Sequence, residues 1–387
     1  MDFSLSEEQQ LFRDTIRDFV AKDVEPVASE WEATDRYPTE LVETMKEMGL
    51  FGMMVPEAYG GLEIDYVSYA IVFEEIARSW HGLAGTLGSH SLACKVIAKH
   101  GTEEQKQKYL PDLATGKRRS GIGLTEPEAG SDLQGIKTVA RRDGDHYVIN
   151  GTKTWITNAR HADPLPVLCK TDPTASPAHK GISLILVEAG TPGFEISKDL
   201  PKLGYKGTES CEVSLQDVRV PVENLVGGVE GRGLQQVLGA LETGRINVGA
   251  RALGNAQRAY DEALKYSKER QAFGQPISDF QAIQMKLADM ATNIMAARLL
   301  VYWAASEADK GERVDMQSGM AKLFASEINV EAALDSMRIP GGYGYSKEFV
   351  VERVYREAPL AVIGEGTSDI LKTVIAKSLI SGRESIG

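Results

Sequence analysis

The feature that most constrains this chain is a double switch in its hydrophobic period. From Ser6 to about Leu113, apolar residues such as Leu11, Ile16, Phe19 and Val20 recur at helical spacing. Thr102-Glu103-Glu104-Gln105 spells a capping box ahead of a further helix, and Pro26, Pro38 and Pro56 sit where helices should start or stop. From about Arg118 to Pro221 the period moves toward two. Asp143-Gly144 and Asn150-Gly151 read as tight turns bracketing a short strand, His146-Tyr147-Val148-Ile149. Gly181–Val187 and Cys211–Leu215 are further strand candidates. From about Gly231 long helices return. Phe280, Ile283, Leu287, Met290, Ile294, Ala297 and Val301 form one apolar stripe, as in a helix of a bundle, and Met285, Met290 and Met295 read as core filler. The pattern predicts an α+β chain in three parts: an N-terminal helical domain over 1–118, a middle β domain over 119–228 and a C-terminal helical domain over 229–387.

Composition narrows the partners. The 387 residues carry 43 Lys and Arg against 55 Asp and Glu, a net charge of −12. That balance disfavours nucleic acid, whose sequence-independent binding rests on neutralising phosphates. Three scattered cysteines, Cys94, Cys169 and Cys211, make neither a disulfide framework nor a thiolate zinc site, and the six histidines lack ligand spacing, so no metal is expected. No apolar stretch approaches the roughly 18 residues of a membrane span. The start, Met1-Asp2-Phe3-Ser4 followed by Glu7-Glu8, has neither signal-peptide nor transit-peptide character, so a cytoplasmic location is expected.

Four constellations could carry chemistry. Gly123-Leu124-Thr125-Glu126-Pro127-Glu128-Ala129-Gly130-Ser131-Asp132 offers clustered donors for a polar ring edge or a phosphate, or is simply a capped, glycine-rich loop. In Thr152-Lys153-Thr154-Trp155-Ile156-Thr157-Asn158, Trp155 and Thr157 lie two apart and would share a strand face, suited to an aromatic cofactor or to the core. Arg270 in Glu269-Arg270-Gln271-Ala272-Phe273-Gly274 could hold a pyrophosphate or make a surface salt bridge. Finally, Arg338-Ile339-Pro340-Gly341-Gly342-Tyr343-Gly344-Tyr345 precedes Ile363-Gly364-Glu365-Gly366-Thr367-Ser368-Asp369-Ile370. Thr367 and Ser368 can cap a helix there, and Glu365, between two glycines, can project into a cavity as a base or remain a solvated loop residue.

Taken together, GLTEPEAGSD, TKTWITN, ERQAFG, GGYGYS and EGTSDI resemble the acyl-CoA dehydrogenase family in order along essentially the whole chain. The resemblance implies an N-terminal helical domain, a central β-barrel-like domain, a C-terminal four-helix bundle, non-covalent FAD and a homotetramer built as a dimer of dimers. It implies α,β-dehydrogenation of an acyl-CoA thioester to a trans-2-enoyl-CoA. Glu365 matches the α-proton base, with hydride passing to flavin N5. Its backbone N–H and a ribityl hydroxyl of FAD would bind the thioester oxygen. Relatives that place the base on the long helix would put it at Gly244, which cannot serve. For FAD the matching positions are Leu124, Thr125, Ser131, Trp155, Thr157, Thr367 and Asp369. Arg270, Phe273, Gln281, Arg338, Gly341 and Gly342 match the positions for its diphosphate and adenine half, with Arg270, Phe273 and Gln281 coming from a neighbouring subunit. Ser131, Glu242, Arg245 and Gly366 match substrate positions, Glu242 and Arg245 being read as a helix-face pair. Electron-transfer flavoprotein is the implied acceptor.

Three departures from the family pattern stand out, two bearing on the substrate and one, Arg338, on the diphosphate contact. Gly364 replaces an aromatic residue common before the base, which widens the pocket toward branched acyl groups, and Arg338 stands where Gln is common. Leu83 falls opposite the pocket Arg of relatives acting on dicarboxylic acyl groups, which favours a monocarboxylic, short- or medium-chain substrate. An oxygen-using acyl-CoA oxidase, a member diverged to nucleic-acid binding and a scaffold without cofactor are the competing readings.

Overall fold

The computed structural model describes residues 4–385. The first block folds as α1 (Glu7–Phe19), α2 (Glu25–Ala33), α3 (Thr39–Glu47), α4 (Tyr66–Ser79), α5 (His81–His100) and α6 (Glu103–Ala114). The prolines do what their position predicts: Pro26 lies in the first turn of α2, Pro38 caps α3, and Pro56 precedes a short 3-10 turn. The Thr102 capping box is made in full, with Gln105 returning its side chain to the Thr102 amide. Gln105 also donates to the carbonyls of Glu223 and Leu225, tying this helix start to the chain leaving the sheet.

The sheet contains β1 (Val139–Asp143), β2 (His146–Thr157), β3 (Leu165–Lys170), β4 (Ile182–Val187), β5 (Phe194–Asp199) and β6 (Ser210–Pro221), in the order β4-β3-β1-β2-β6-β5. Its ladders are antiparallel except for β1 with β3. Asn150-Gly151, expected as a turn, lies inside β2, which runs on to Thr157. Gly151 permits a register shift against β6 and an approach to Thr138 so close that a methyl group would overlap the Thr138 side chain. Asn150 meanwhile exchanges hydrogen bonds with Asp217 across the strands.

The last block holds α7 (Gly233–Glu269), the two-stranded hairpin β7 (Gln271–Ala272) and β8 (Gln275–Pro276), α8 (Gln281–Ala308), α9 (Asp315–Arg338), α10 (Val350–Glu357), α11 (Leu360–Ile363) and α12 (Ser368–Ile380). Helices α7, α8, α9 and α12 pack as the bundle. On α8 the predicted stripe is buried at Met290, Ile294, Ala297 and Val301, but Met285 and Met295 are 61% and 53% exposed. They lie off the stripe and are not core filler in this chain. Among the described residues no helix is long and apolar enough to cross a membrane.

One continuous apolar cluster runs from Ile16 through α4 and on through α7, α8 and α9 to Ala361. Helices α4 and α7 meet backbone to backbone at Gly254, where a methyl group would overlap the Glu74 carbonyl and approach the Arg78 amide to 3.0 Å. Glu74 accepts from Arg298 and Tyr302 on α8, which completes the join. Two effects oppose each other at Gly254: alanine favours a helix by about 1 kcal/mol, whereas forcing atoms into a packed contact costs about 1–3 kcal/mol. Because the obstacle is backbone, the second effect should win. Gly254→Ala is expected to lower stability by about 1–2 kcal/mol in chemical denaturation, and an unchanged or raised midpoint would contradict this account.

Candidate active site

Glu365 occupies the link between α11 and α12. Gly364 ends α11, Thr367 caps α12 by accepting from the Ile370 amide, and Glu365 itself has φ 53°, followed by Gly366 at φ 99°. A left-handed Glu is a strained conformation that persists only where its surroundings hold it. Here Lys322 of α9 does the holding: its fully buried ammonium donates to the Gly366 carbonyl at 2.7 Å. Burial pushes Lys322 down to about 8, against the upward pull of the nearby Glu365 carboxylate.

The conformation delivers the Glu365 carboxyl group onto the bare Cα of Gly244 in α7. A methyl group at Gly244 would overlap Oε2, which has no hydrogen-bond partner of its own. The other oxygen lies 3.9 Å from Arg251 Nη2. Burial raises the Glu365 pKa and outweighs the lowering by Arg251, Lys322 and Arg245. The result is an under-bonded carboxyl group, reluctant to ionise and correspondingly basic once ionised, which suits proton abstraction. Beside it, a Cβ at Gly364 would meet nothing nearer than the Leu360 carbonyl at 3.5 Å, so a side chain could start there without a clash.

Arg251 also connects this carboxyl group to Tyr205, donating from Nη1 to the Tyr205 hydroxyl at 3.3 Å. Tyr205 lies across α5 at Gly85, where a methyl group would overlap its phenol. Asn247, one turn along α7 from Gly244, donates to Tyr69 at 3.4 Å and meets α5 at Gly88. None of Lys322, Arg251, Tyr205 and Asn247 stood out in the sequence. The signal for the α7 pair was their recurrence on the face of Gly244, visible only once that face is known to carry the site.

The first two sequence motifs come together at β2. The Thr154 amide donates to the Thr125 carbonyl at 2.9 Å, and Lys153 Nζ donates to the Leu124 carbonyl and to Glu126 Oε1 at 3.1 and 2.7 Å. Trp155 follows at a bulge with φ 60°, 57% exposed, while Ile156 turns into the core. An indole face held outward by strained backbone is what a planar ligand requires. Ser131 is exposed farther along the same loop.

The remaining candidates lie elsewhere. Arg270 lies 5.9 Å over the Tyr343 ring, joining the hairpin to the Gly341-Gly342 turn, where Gly341 has φ 64°. Phe273, at the hairpin tip, is 97% exposed, Gln281 opens α8 with its side chain in solvent, and Arg338 pairs with Asp335 at 3.6 Å. Among the described residues, no hydrogen bond, ion pair or ring contact joins this exposed group to Glu365 or Trp155. Asp369 is also exposed, 3.7 Å from Lys372. The expected Glu242–Arg245 pair is not made. Glu242 accepts from Arg313 and from the Val314 amide, and Arg245 reaches Asp315 at 3.2 Å, because the α8–α9 link inserts both partners over that helix face. Glu242 and Thr243 also line a polar cleft of about 770 Å³ together with Tyr66, Lys95 and Lys99.

The Lys153–Glu126 pair is the buried charge that fixes the loop beside Trp155. Burial opposes ionisation of both groups. Even so, the ammonium and the amides of Lys137 and Thr138 draw Glu126 below its usual pKa, whereas burial keeps Lys153 below its own. Lys153→Met leaves that carboxylate without a cation and is expected to cost about 3–5 kcal/mol in denaturant unfolding. Adding Glu126→Gln should recover part of the loss, and a double-variant loss equal to the sum of the two single-variant losses would show that the pair is not coupled.

Models of the acyl-CoA dehydrogenase N-terminal, middle and C-terminal domains match residues 6–117, 121–218 and 231–380. A probable acyl-CoA dehydrogenase of Bacillus subtilis, YngJ, is 44% identical over 98% of this chain and all of its own. The caffeyl-CoA reductase-Etf complex subunit CarC of Acetobacterium woodii is 41% identical over 97% of this chain and 99% of its own. The solved butyryl-CoA dehydrogenase of Megasphaera elsdenii is 39% identical, covering 98% of this chain and 100% of its own, and superposes with a TM-score of 0.95. The three domain models follow one another in the order that the helix–strand–helix pattern predicts, and the protein belongs to the acyl-CoA dehydrogenase family.

Proposed function

We propose that the protein converts a short- or medium-chain acyl-CoA, straight or branched, to its trans-2-enoyl-CoA, with Glu365 as the base that takes the α-proton. The observation that carries this reading is the under-bonded, buried carboxyl group of Glu365, held over Gly244 by strained backbone. Bound FAD supplies the acceptor, at N5, for the hydride that leaves the β-carbon. The chain's own residues do the rest. Trp155 and Thr157 support the ring, Leu124 and Thr125 its polar edge, and Ser131 the phosphate side and the substrate. Glu365 N–H binds the thioester oxygen, where negative charge grows as the α-proton departs. Thr367 and Asp369 close the site beyond the base, and Glu242, Arg245 and Gly366 flank the CoA chain. The open space beside Gly364 supports a bulky or branched α/β region.

Arg270, Phe273 and Gln281 serve the adenine half of FAD bound to a second copy in a homotetramer, and Arg338, Gly341 and Gly342 serve the diphosphate. The 97% exposure of Phe273, with Met285 and Met295 bare on α8, supports that assembly. Electron-transfer flavoprotein is the acceptor, a reading supported by the relative named as a reductase–Etf complex subunit.

Glu365→Gln is expected to retain fold and FAD while losing turnover by at least about 10³-fold, beyond the 10²–10⁴ typical of general-base contributions only if binding is also disturbed. Anaerobic bleaching of the flavin by acyl-CoA at the parent rate would remove Glu365 from this role, and rapid re-oxidation of the bleached enzyme by air with peroxide release would assign an oxidase instead. The pH dependence has a definite sign. Only ionised Glu365 can accept the proton, and burial raises its pKa against the cations Arg251, Lys322 and Arg245, with the phenols of Tyr69 and Tyr205 also facing it. The bleaching rate should therefore rise with pH along a limb centred above about 4.3, the ordinary value for Glu. A rate already flat through that range contradicts the assignment.

A further inference from the structure

Resting on that reading, we propose that Arg251 selects an acyl group ending in a carboxylate, so that the preferred substrate is the CoA thioester of a short dicarboxylic acid. Leu83, fully buried, does put an apolar residue where a pocket cation was sought. A cation reaches the Glu365 carboxyl group instead from α7, the helix whose Gly244 that group touches.

Four observations carry this. First, Arg251 is about nine-tenths buried within reach of the base, yet its guanidinium is barely bonded: Nη1 donates to Tyr205 at 3.3 Å, Nη2 stands 3.9 Å from Glu365 Oε1, beyond hydrogen-bond length, and Nε has no partner. The Nε–Nη2 edge is the one that receives a carboxylate side-on through two parallel hydrogen bonds. Second, charge in the chamber is out of balance. Three cations, Arg251, Lys322 and Arg245, act on the single carboxylate of Glu365. Lys322 is committed to the Gly366 carbonyl and Arg245 to Asp315, which leaves Arg251 as the cation without a full partner among them. Third, the surroundings are polar and also unsatisfied. Asn247 Oδ1 and His81 Nδ1 are buried without partners, and the His81 ring lies 5.9 Å from Tyr205. Fourth, the open space at Gly364 gives a second polar end room beside the base.

A plain alkyl chain in such a chamber would displace water from these groups and leave them unbonded, which is costly for polar groups and more so for a buried charge. A carboxylate at the far end of the acyl chain meets the open guanidinium edge and neutralises the excess charge.

The test is anaerobic flavin bleaching of the FAD-loaded protein by two length-matched pairs, butyryl-CoA with succinyl-CoA and pentanoyl-CoA with glutaryl-CoA. The expected result is a kcat/KM at least about tenfold higher for a dicarboxylic member than for its partner. In Arg251→Gln that ratio should fall by about tenfold or more, mainly through KM, with Arg251→Lys intermediate. FAD content and melting temperature check that the variants fold, and if Arg251→Gln does not, the wild-type ratios decide alone. Preference of the wild type for the monocarboxylic members, or an Arg251→Gln loss equal on both members of a pair, overturns the proposal and leaves the dehydrogenase reading standing. Bleaching by none of the four overturns the proposal, and bleaching by no medium-chain or branched acyl-CoA either overturns the dehydrogenase reading with it.

Discussion

The contact between the Glu365 carboxyl group and the bare backbone of Gly244 sets the terms for the whole site. It requires glycine on the helix, because any side chain would take the carboxyl group's place. It requires a left-handed link between α11 and α12, because only that conformation turns Glu365 inward. It also requires something to hold the link there, and the buried ammonium of Lys322 on the Gly366 carbonyl meets that need. Strain of this sort costs about 1–3 kcal/mol, and a charge-assisted hydrogen bond contributes about as much in return. The geometry of the Glu365 carboxyl group is thus held by two long helices, α7 below and α9 behind, rather than by the short loop that bears it.

Much of this was legible in the sequence, and the reasons for the exceptions are physical. The α–β–α order and the Thr102 cap were readable because each rests on local spacing, which tertiary contacts did not override. Asn150-Gly151 misled because the same dipeptide that makes a tight turn also makes a bulge, and the choice fell to Thr138, just ahead of β1, and Asp217 on β6. The Glu242–Arg245 pairing failed for a similar reason: helical neighbours three apart can meet, but Arg313 and Asp315 arrive from a distant link with better geometry. Glu365 was findable from its flanking glycines. Lys322, Arg251 and Tyr205 were not, since each carries its meaning through a partner far along the chain.

The two halves of the candidate cofactor site also differ in kind. The half at Trp155 is built by the sheet and braced from beneath by a buried ion pair, so it is rigid in a single chain. The half at Arg270, Phe273 and Gly341 is a surface with a bare aromatic tip.

The continuous core has a consequence for how the chain comes to be folded. The first and last blocks share one apolar interior, so the sheet is an excursion from a single helical body rather than the middle of three beads. Glu74 waits for Arg298, 224 residues later, and Glu32 for Arg356, 324 residues later. The entropy of closing such loops grows only with the logarithm of their length, so the finished molecule loses little by this arrangement. During synthesis the balance is different. The face of α4 that meets α7 and α8 emerges uncovered and stays so until those helices have been made, whereas α5 and α6 share a core with the sheet. The sheet, which has its own core from Ala140 to Leu225, is complete well before then.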